Sequence, residues 1–170
     1  MRWVPPSWQQ IRFCLWFLCC LLLLEWIFNR WQPLVGGLFM HMISATAAAS
    51  LNLLGVPVRL DTSSIAAGFC IMALDTIAFQ IIYECTGIFS FFILVAAIAA
   101  YPTSLVQKGW GLLLGAGAFF LYSTLRLIAL GVVGHFSPAW IQPFHLYFMV
   151  LLNQGFMVFL WLFWIGKVRA

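Results

Sequence analysis

The chain has very little charge. Of its 170 residues 7% are charged and 65% are hydrophobic, whereas a soluble domain carries about 25% charged residues because its surface must be solvated. Most of the surface of this protein must therefore face lipid. We predict an all-α polytopic membrane protein in which residues 1–170 form a single integral membrane domain.

The signatures of several kinds of binding site are also missing. The sequence contains no P-loop and no glycine-rich dinucleotide fingerprint, and its three histidines are too dispersed to suggest a metal centre. We therefore predict no cofactor and no metal. The basic residues are scattered rather than clustered, so membrane lipids are expected as partners and nucleic acid is not.

The N-terminal region lacks a cleavage site. Arg2 and Arg12 precede an apolar run, which is the arrangement of a signal peptide. However, residues 25–30, which follow that run, contain no small-residue cleavage motif. We therefore expect a retained membrane anchor.

Five apolar segments are candidates for membrane helices. Four are predicted to cross the bilayer, at residues 13–28, 86–101, 110–134 and 144–166. Residues 34–54 are less hydrophobic because they include glycine and polar residues. An interfacial or re-entrant helix is expected there, with a full crossing as the alternative. Residues 55–84 carry β-branched and polar residues, which predict a short extracytoplasmic hairpin. The hairpin would lie outside the hydrocarbon, because an open sheet edge cannot face lipid.

The distribution of basic residues predicts the orientation. With four crossings, the cytoplasmic side holds Arg2, Arg12, Lys108, Lys167 and Arg169. The outer loops hold Arg30 and Arg59. By the positive-inside rule this distribution favours both termini in the cytoplasm. If residues 34–54 cross instead, either the hairpin moves to the cytoplasm or the later spans invert.

Arg126 is the charge that most needs an explanation. It lies in the predicted span 110–134 with apolar neighbours. At about 1.5 Å per residue it is ~24 Å from the cytoplasmic side, in the outer half of a ~30 Å core. Charge at such depth costs at least ~2.5 kcal/mol and usually marks a functional site. The alternatives are snorkelling to the outer headgroups or a structural pair with Glu84 or Asp75.

Two further reactive side chains are expected at the same depth. Cys85 directly precedes the span 86–101, and His145 opens the last span. A histidine there could take the proton of a nucleophilic thiol and later donate it to a leaving amine. A disulfide between Cys85 and Cys70 is the alternative reading of the cysteine. For His145 the alternative is an interfacial hydrogen bond.

The sequences around these three residues resemble exosortases and archaeosortases over about residues 45–165. Tyr83-Glu84-Cys85-Thr86-Gly87 resembles their Cys-Ser-Gly signature, Ser123-Thr124-Leu125-Arg126-Leu127 their Asn-x-x-Arg helix, and Phe144-His145 their histidine. The resemblance implies a membrane-embedded cysteine protease or transpeptidase in the cytoplasmic (inner) membrane, with its active site facing outward. Its substrates would be exported proteins that end in a sorting signal, which is a short motif followed by a transmembrane helix and a basic tail. Cys85 would attack the peptide, Arg126 would stabilise charge and His145 would shuttle the proton.

The sequence departs from the family pattern in several places. Thr86 replaces the usual serine, Ser123 stands where asparagine is common, and Leu146 stands where an acidic residue often follows the histidine. The chain is also short, which suggests a compact, exosortase H-like subgroup. The main alternative function is a non-enzymatic membrane subunit or assembly factor, and a small transporter is a weaker one.

Overall fold

The computed structural model describes residues 7–75 and 77–169. Arg2, one of the predicted orientation signals, lies outside the described residues. The helices are α1 (Trp8–Leu53), α2 (Tyr83–Thr86), α3 (Ile88–Ala100), α4 (Leu105–Phe136), α5 (Ile141–Pro143) and α6 (Met149–Arg169), and the strands are β1 (Val58–Asp61), β2 (Phe69–Leu74) and β3 (Ala78–Ile82). Short 3₁₀ turns occupy Ile65–Ala67 and Pro138–Trp140, and a π-helical turn occupies Phe144–Phe148.

Three helical stretches are long and apolar enough to cross a membrane: Trp8–Leu53, Leu105–Phe136 and Pro138–Val168. Helix α3 is equally apolar but has only 13 residues. At about 1.5 Å per residue it is ~20 Å long, short of a ~30 Å core. The mostly helical architecture fits the predicted all-α membrane protein.

Helix α1 joins two segments that the sequence predicts to be separate. Residues 13–28 and 34–54 fall in one 46-residue helix, which kinks at Trp31 (φ −117°, ψ 19°) two residues before Pro33. A proline inside a helix removes a backbone donor and crowds the preceding turn, which explains a kink at this place. The segments are therefore connected by a bend and not by a loop.

The half of α1 that follows the kink stays at one end of the bundle. Near the kink, the hydroxyl of Tyr83 donates to the carbonyl of Gln32 over 3.4 Å. Near the end of α1, Leu51 fills the space beside Gly131, close to the end of α4. Both ends of this half thus contact residues at the same end of the bundle as α2.

A three-stranded antiparallel sheet replaces the predicted hairpin. The strand order is β1-β2-β3, and Arg59 of β1 lies opposite Ala73 of β2. Residues of β2 alternate between half-buried and buried, so one face of the sheet packs on the core. On that face the Cys70 thiol lies 3.4 Å from the Ser44 hydroxyl of α1. The predicted hairpin has two strands, so the third strand corrects the prediction. Residues 75–77, between β2 and β3, contain neither glycine nor proline to mark a turn.

Two glycines allow close packing at the other end of the bundle. A side chain on Gly111 would collide with the indole of Trp164 on α6, and one on Gly115 would press on Leu94 of α3. The indole nitrogen of Trp164 donates to the carbonyl of Gln107 over 3.1 Å. The glycine pair therefore brings α4 against both neighbouring helices.

Candidate active site

The structure brings Cys85 and His145 together. The Sγ of Cys85 lies 3.7 Å from Nε2 of His145, which is hydrogen-bonding distance for sulfur. Cys85 sits on the single turn α2, where the Thr86 hydroxyl donates to the Tyr83 carbonyl over 2.6 Å. Gly87 ends that turn with φ +77°, a left-handed conformation that favours glycine. This sharp turn between β3 and α3 places the thiol at the head of a membrane helix.

His145 is held by an unusual backbone segment. It lies in the π-helical turn Phe144–Phe148, directly after Pro143. Such turns are rare and are frequently found at functional sites. Its Nδ1 is buried and has no hydrogen-bond partner among the described residues. Leu146, at the position where family members often carry an acid, is 53% exposed and supplies no partner for the ring.

Arg126 is buried near His145, and it does not line the cavity that Cys85 and His145 share. Only 8% of its surface is exposed, and its charge acts electrostatically on His145 and on Tyr122, one turn earlier in α4. Glu84 and Asp75 are both exposed. Neither carboxylate forms an ion pair with Arg126 in the described residues. Neither of the two carboxylates considered as structural partners therefore neutralises the guanidinium among the described residues.

A buried polar network beneath the turn was not predicted from the sequence. The Ser123 hydroxyl donates to the Thr86 carbonyl over 2.7 Å, and the Asn153 amide donates to the Ser90 hydroxyl over 2.6 Å. The Oδ1 of Asn153 is buried without a partner among the described residues, and it would lie 3.6 Å from a Cβ on Gly87. Asn153 and the adjacent Gln154 are amides in an apolar span, and the cost of a polar group in lipid is the signal that could have identified Asn153.

A cavity of about 300 Å³ opens beside the thiol, a size within the range of about 300–1,000 Å³ for ligand pockets. Cys85 and His145 line it together with residues of β3, α4 and α5, namely Phe79, Gln80, Ile81, Leu127, Leu130, Ile141 and Gln142. A nucleophile and a base thus face a space that can receive a substrate segment.

Cys70 has a different environment. It is fully buried, and this burial raises the pKa of its thiol, against a smaller opposing effect of the Ser44 hydrogen bond. Both Cys70 and Cys85 are free thiols in the structure. Cys85 therefore contacts a histidine and lines a cavity, whereas Cys70 is buried in the core.

The comparisons with known proteins agree with the resemblance of the motifs. A family model described as transmembrane exosortase matches residues 2–165. The match starts well before residue 45, so it includes α1. No curated protein and no solved structure matches the chain. Since the family model covers nearly the whole sequence, the chain belongs to the transmembrane exosortase family.

Proposed function

We propose that this protein is a membrane-embedded cysteine protease or transpeptidase that cleaves the C-terminal sorting signals of exported proteins. The observation that carries the proposal is the 3.7 Å contact between Cys85 and His145 at the wall of a cavity. Its substrates carry a short motif, a transmembrane helix and a basic tail. The site faces the outer side of the cytoplasmic membrane.

The chemistry divides among three side chains. His145 takes the thiol proton through Nε2, and the Cys85 thiolate attacks the scissile carbonyl carbon. A C–S bond forms, and the carbonyl oxygen becomes an oxyanion that Arg126 stabilises. His145 then returns the proton to the leaving amine as the C–N bond breaks. The resulting thioester passes to water or to a nucleophilic group of a glycan or lipid, which releases the thiol.

The proposed orientation rests on the positions of two lysines. Lys108 at the start of α4 donates to the Ala99 carbonyl at the end of α3, and Lys167 lies at the end of α6. These cations share the end of the bundle that is opposite Cys85. By the positive-inside rule that end is cytoplasmic, so the thiol faces outward. In this arrangement the first half of α1, α4 and α6 cross the bilayer, and the second half of α1 lies along the outer surface. The shorter α3 extends from the cytoplasmic side through about two thirds of the hydrocarbon core.

The test is processing of a candidate substrate, encoded near this gene, in cells that express the protein. Cys85→Ala should leave the substrate at full length on a blot, because no other described thiol contacts His145. Cys70→Ala is the matched control and should process normally, since the Cys70 thiol hydrogen-bonds to Ser44 and does not line the cavity. Processing by Cys85→Ala at the parental rate would rule out the proposed nucleophile.

A further inference from the structure

Strand β3 has a partner on one side only. The sheet order is β1-β2-β3, so β3 is an edge strand of the sheet in the described residues. Edge strands present unpaired backbone groups and are usually protected by lysine, proline or a covering element. The sequence of β3, Ala-Phe-Gln-Ile-Ile, contains neither lysine nor proline.

The register shows which backbone groups face the free edge. The Leu74 N–H donates to the Ile77 carbonyl over 2.7 Å, and Met72 lies opposite Phe79. In an antiparallel pair, hydrogen-bonded and non-hydrogen-bonded positions alternate. Phe79 and Ile81 therefore point their N–H and C=O groups toward β2, and Gln80 points both of its backbone groups away from the sheet.

This free edge opens onto the candidate active site. Phe79, Gln80 and Ile81 line the same cavity of about 300 Å³ as Cys85 and His145. An unpaired sheet edge cannot be left against the hydrocarbon of a bilayer, because its polar groups would lack partners. Inside the cavity, the backbone of a bound peptide would form hydrogen bonds with the outward N–H and C=O groups of Gln80.

We propose that the edge of β3, centred on Gln80, binds the recognition motif of the substrate as an added β-strand. The inference rests on the proposed function and describes how the site recognises its substrate. In such binding, main-chain hydrogen bonds supply affinity and pockets for alternate side chains supply specificity. Leu127 and Leu130 form the apolar wall that faces the strand across the cavity, so apolar side chains of the motif would pack there.

The order of elements sets the direction of the added strand. β3 leads into the turn that carries Cys85 and then into the membrane helix α3. In the substrate, the motif likewise comes before the transmembrane helix. If the substrate motif binds as a strand parallel to β3, the peptide bond that follows the motif lies at Cys85. The substrate helix then enters the bilayer in the same direction as α3.

The first test removes one outward N–H. Gln80→Pro deletes a donor that faces the cavity and keeps the ladder to β2, because proline is tolerated where the N–H of an edge strand points outward. It should slow processing by up to about tenfold, the effect of one lost hydrogen bond. Gln80→Ala keeps the N–H and should lose less. Equal losses would assign the effect to the side chain and overturn the proposal.

The opposite edge of the sheet offers a matched control. The backbone of Val58 in β1 bonds to Asn52 and so points away from β2, and the alternation points the Leu60 N–H outward too. Leu60→Pro therefore makes the same backbone change at residues that do not line the cavity, and it should process normally per molecule of folded protein, the comparison needed because the Leu60 side chain also packs against the core. If the parent processes and Cys85→Ala does not, the proposed function holds. Normal processing by Gln80→Pro would then overturn the added strand alone.

A second measurement does not depend on turnover. A photo-crosslinking residue at position 80, in the Cys85→Ala background, should form an adduct with the substrate. The same residue at position 59, on exposed β1, should not. Adducts at both positions, or at position 59 alone, would overturn the proposal. An adduct between two copies of this protein at position 80, without substrate adducts, would assign the edge to self-association and also overturn it.

Discussion

The Sγ of Cys85 and the Nε2 of His145 lie 3.7 Å apart, although 60 residues separate them in the chain. The cysteine comes from the turn between the sheet and α3, and the histidine comes from the π-helical turn that precedes α6. The contact therefore depends on how α6 packs beside α3. Substitutions at other residues of either turn should change the distance between Cys85 and His145 and so slow the proposed reaction.

Cys85 and His145 should behave as one catalytic unit. His145→Ala is expected to slow processing about 10²- to 10⁴-fold, because the thiol loses its base. The double variant with Cys85→Ala should be no slower than Cys85→Ala alone, since residues that act together are strongly non-additive. His41→Ala, at an exposed position on α1, is the control. Independent, multiplicative losses would show that the two residues do not share a step.

Arg126 should contribute charge to the transition state. Arg126→Gln is expected to lower the rate about 10²- to 10³-fold, the usual effect of losing a group that stabilises an oxyanion. Arg126→Lys should recover part of this loss, because it keeps the charge and changes the geometry. Arg30→Gln, at an exposed site on α1, should be neutral. Rates are compared per molecule of folded protein, and an unchanged rate in Arg126→Gln would remove Arg126 from the mechanism.

Thiol labelling should separate the two cysteines near the sheet. A membrane-impermeant maleimide is expected to label Cys85 in intact cells, and Cys85→Ser should abolish the signal. Cys70 should stay unlabelled near neutral pH, because it is fully buried and its raised pKa keeps the thiol protonated. Labelling that appears only after a reductant would indicate a disulfide and favour the assembly-factor alternative.

The Asn153–Ser90 pair should couple α6 to α3. Ser90→Ala removes the hydroxyl bound to the Asn153 amide and leaves a second buried group without a partner. We expect a coupling energy of about 0.6–1.7 kcal/mol in a double-mutant cycle with Asn153→Leu, as for polar pairs in other membrane proteins. Thermal unfolding in detergent measures it. Additive effects of the two substitutions would mean that the pair contributes nothing to stability.

Close packing of α4 against α6 should be sensitive to one methyl group. Gly111→Ala places a Cβ against the Trp164 indole and should lower Tm through strain that costs about 1–3 kcal/mol. Gly117→Ala is the matched control on the same helix, because no atom lies within 4 Å of its added Cβ. That variant should be neutral or stabilising, since alanine favours helix by about 1 kcal/mol over glycine. A similar Tm for both variants would contradict the packing seen at Gly111.

The sequence predicted a mostly helical membrane protein, and it predicted a common depth for the reactive residues, which stays a prediction. Long apolar runs have few structural options in lipid, and the order of Cys85, Arg126 and His145 follows from alternating the direction of successive spans. The structure agrees in bringing His145 to Cys85 and in burying Arg126. These features depend on chain order and length, which a single sequence contains.

Other features depend on contacts between distant residues and were missed. Arg59 of β1 pairs with Ala73 of β2, and the residues between them contain no two-residue hairpin turn that would fix this register. The sequence predicted separate segments at residues 13–28 and 34–54, whereas the structure joins them in one helix that kinks at Trp31. Asn153 has a partner 63 residues away. Tertiary packing decides each of these, and local patterns do not contain it.

The shortness of α3 has a consequence for which proteins can reach the thiol at all. Its lower end meets the aromatic cluster of Tyr101, Trp161 and Trp164, residue types that concentrate where lipid tails meet headgroups. Only 13 residues then rise from that level, about two thirds of the way across a ~30 Å core. Under the proposed orientation Cys85 would lie below the level of the outer headgroups, where water and small solutes reach it through the cavity. A substrate with a membrane anchor is already held at that depth, so the position of the thiol would favour anchored proteins over soluble peptides.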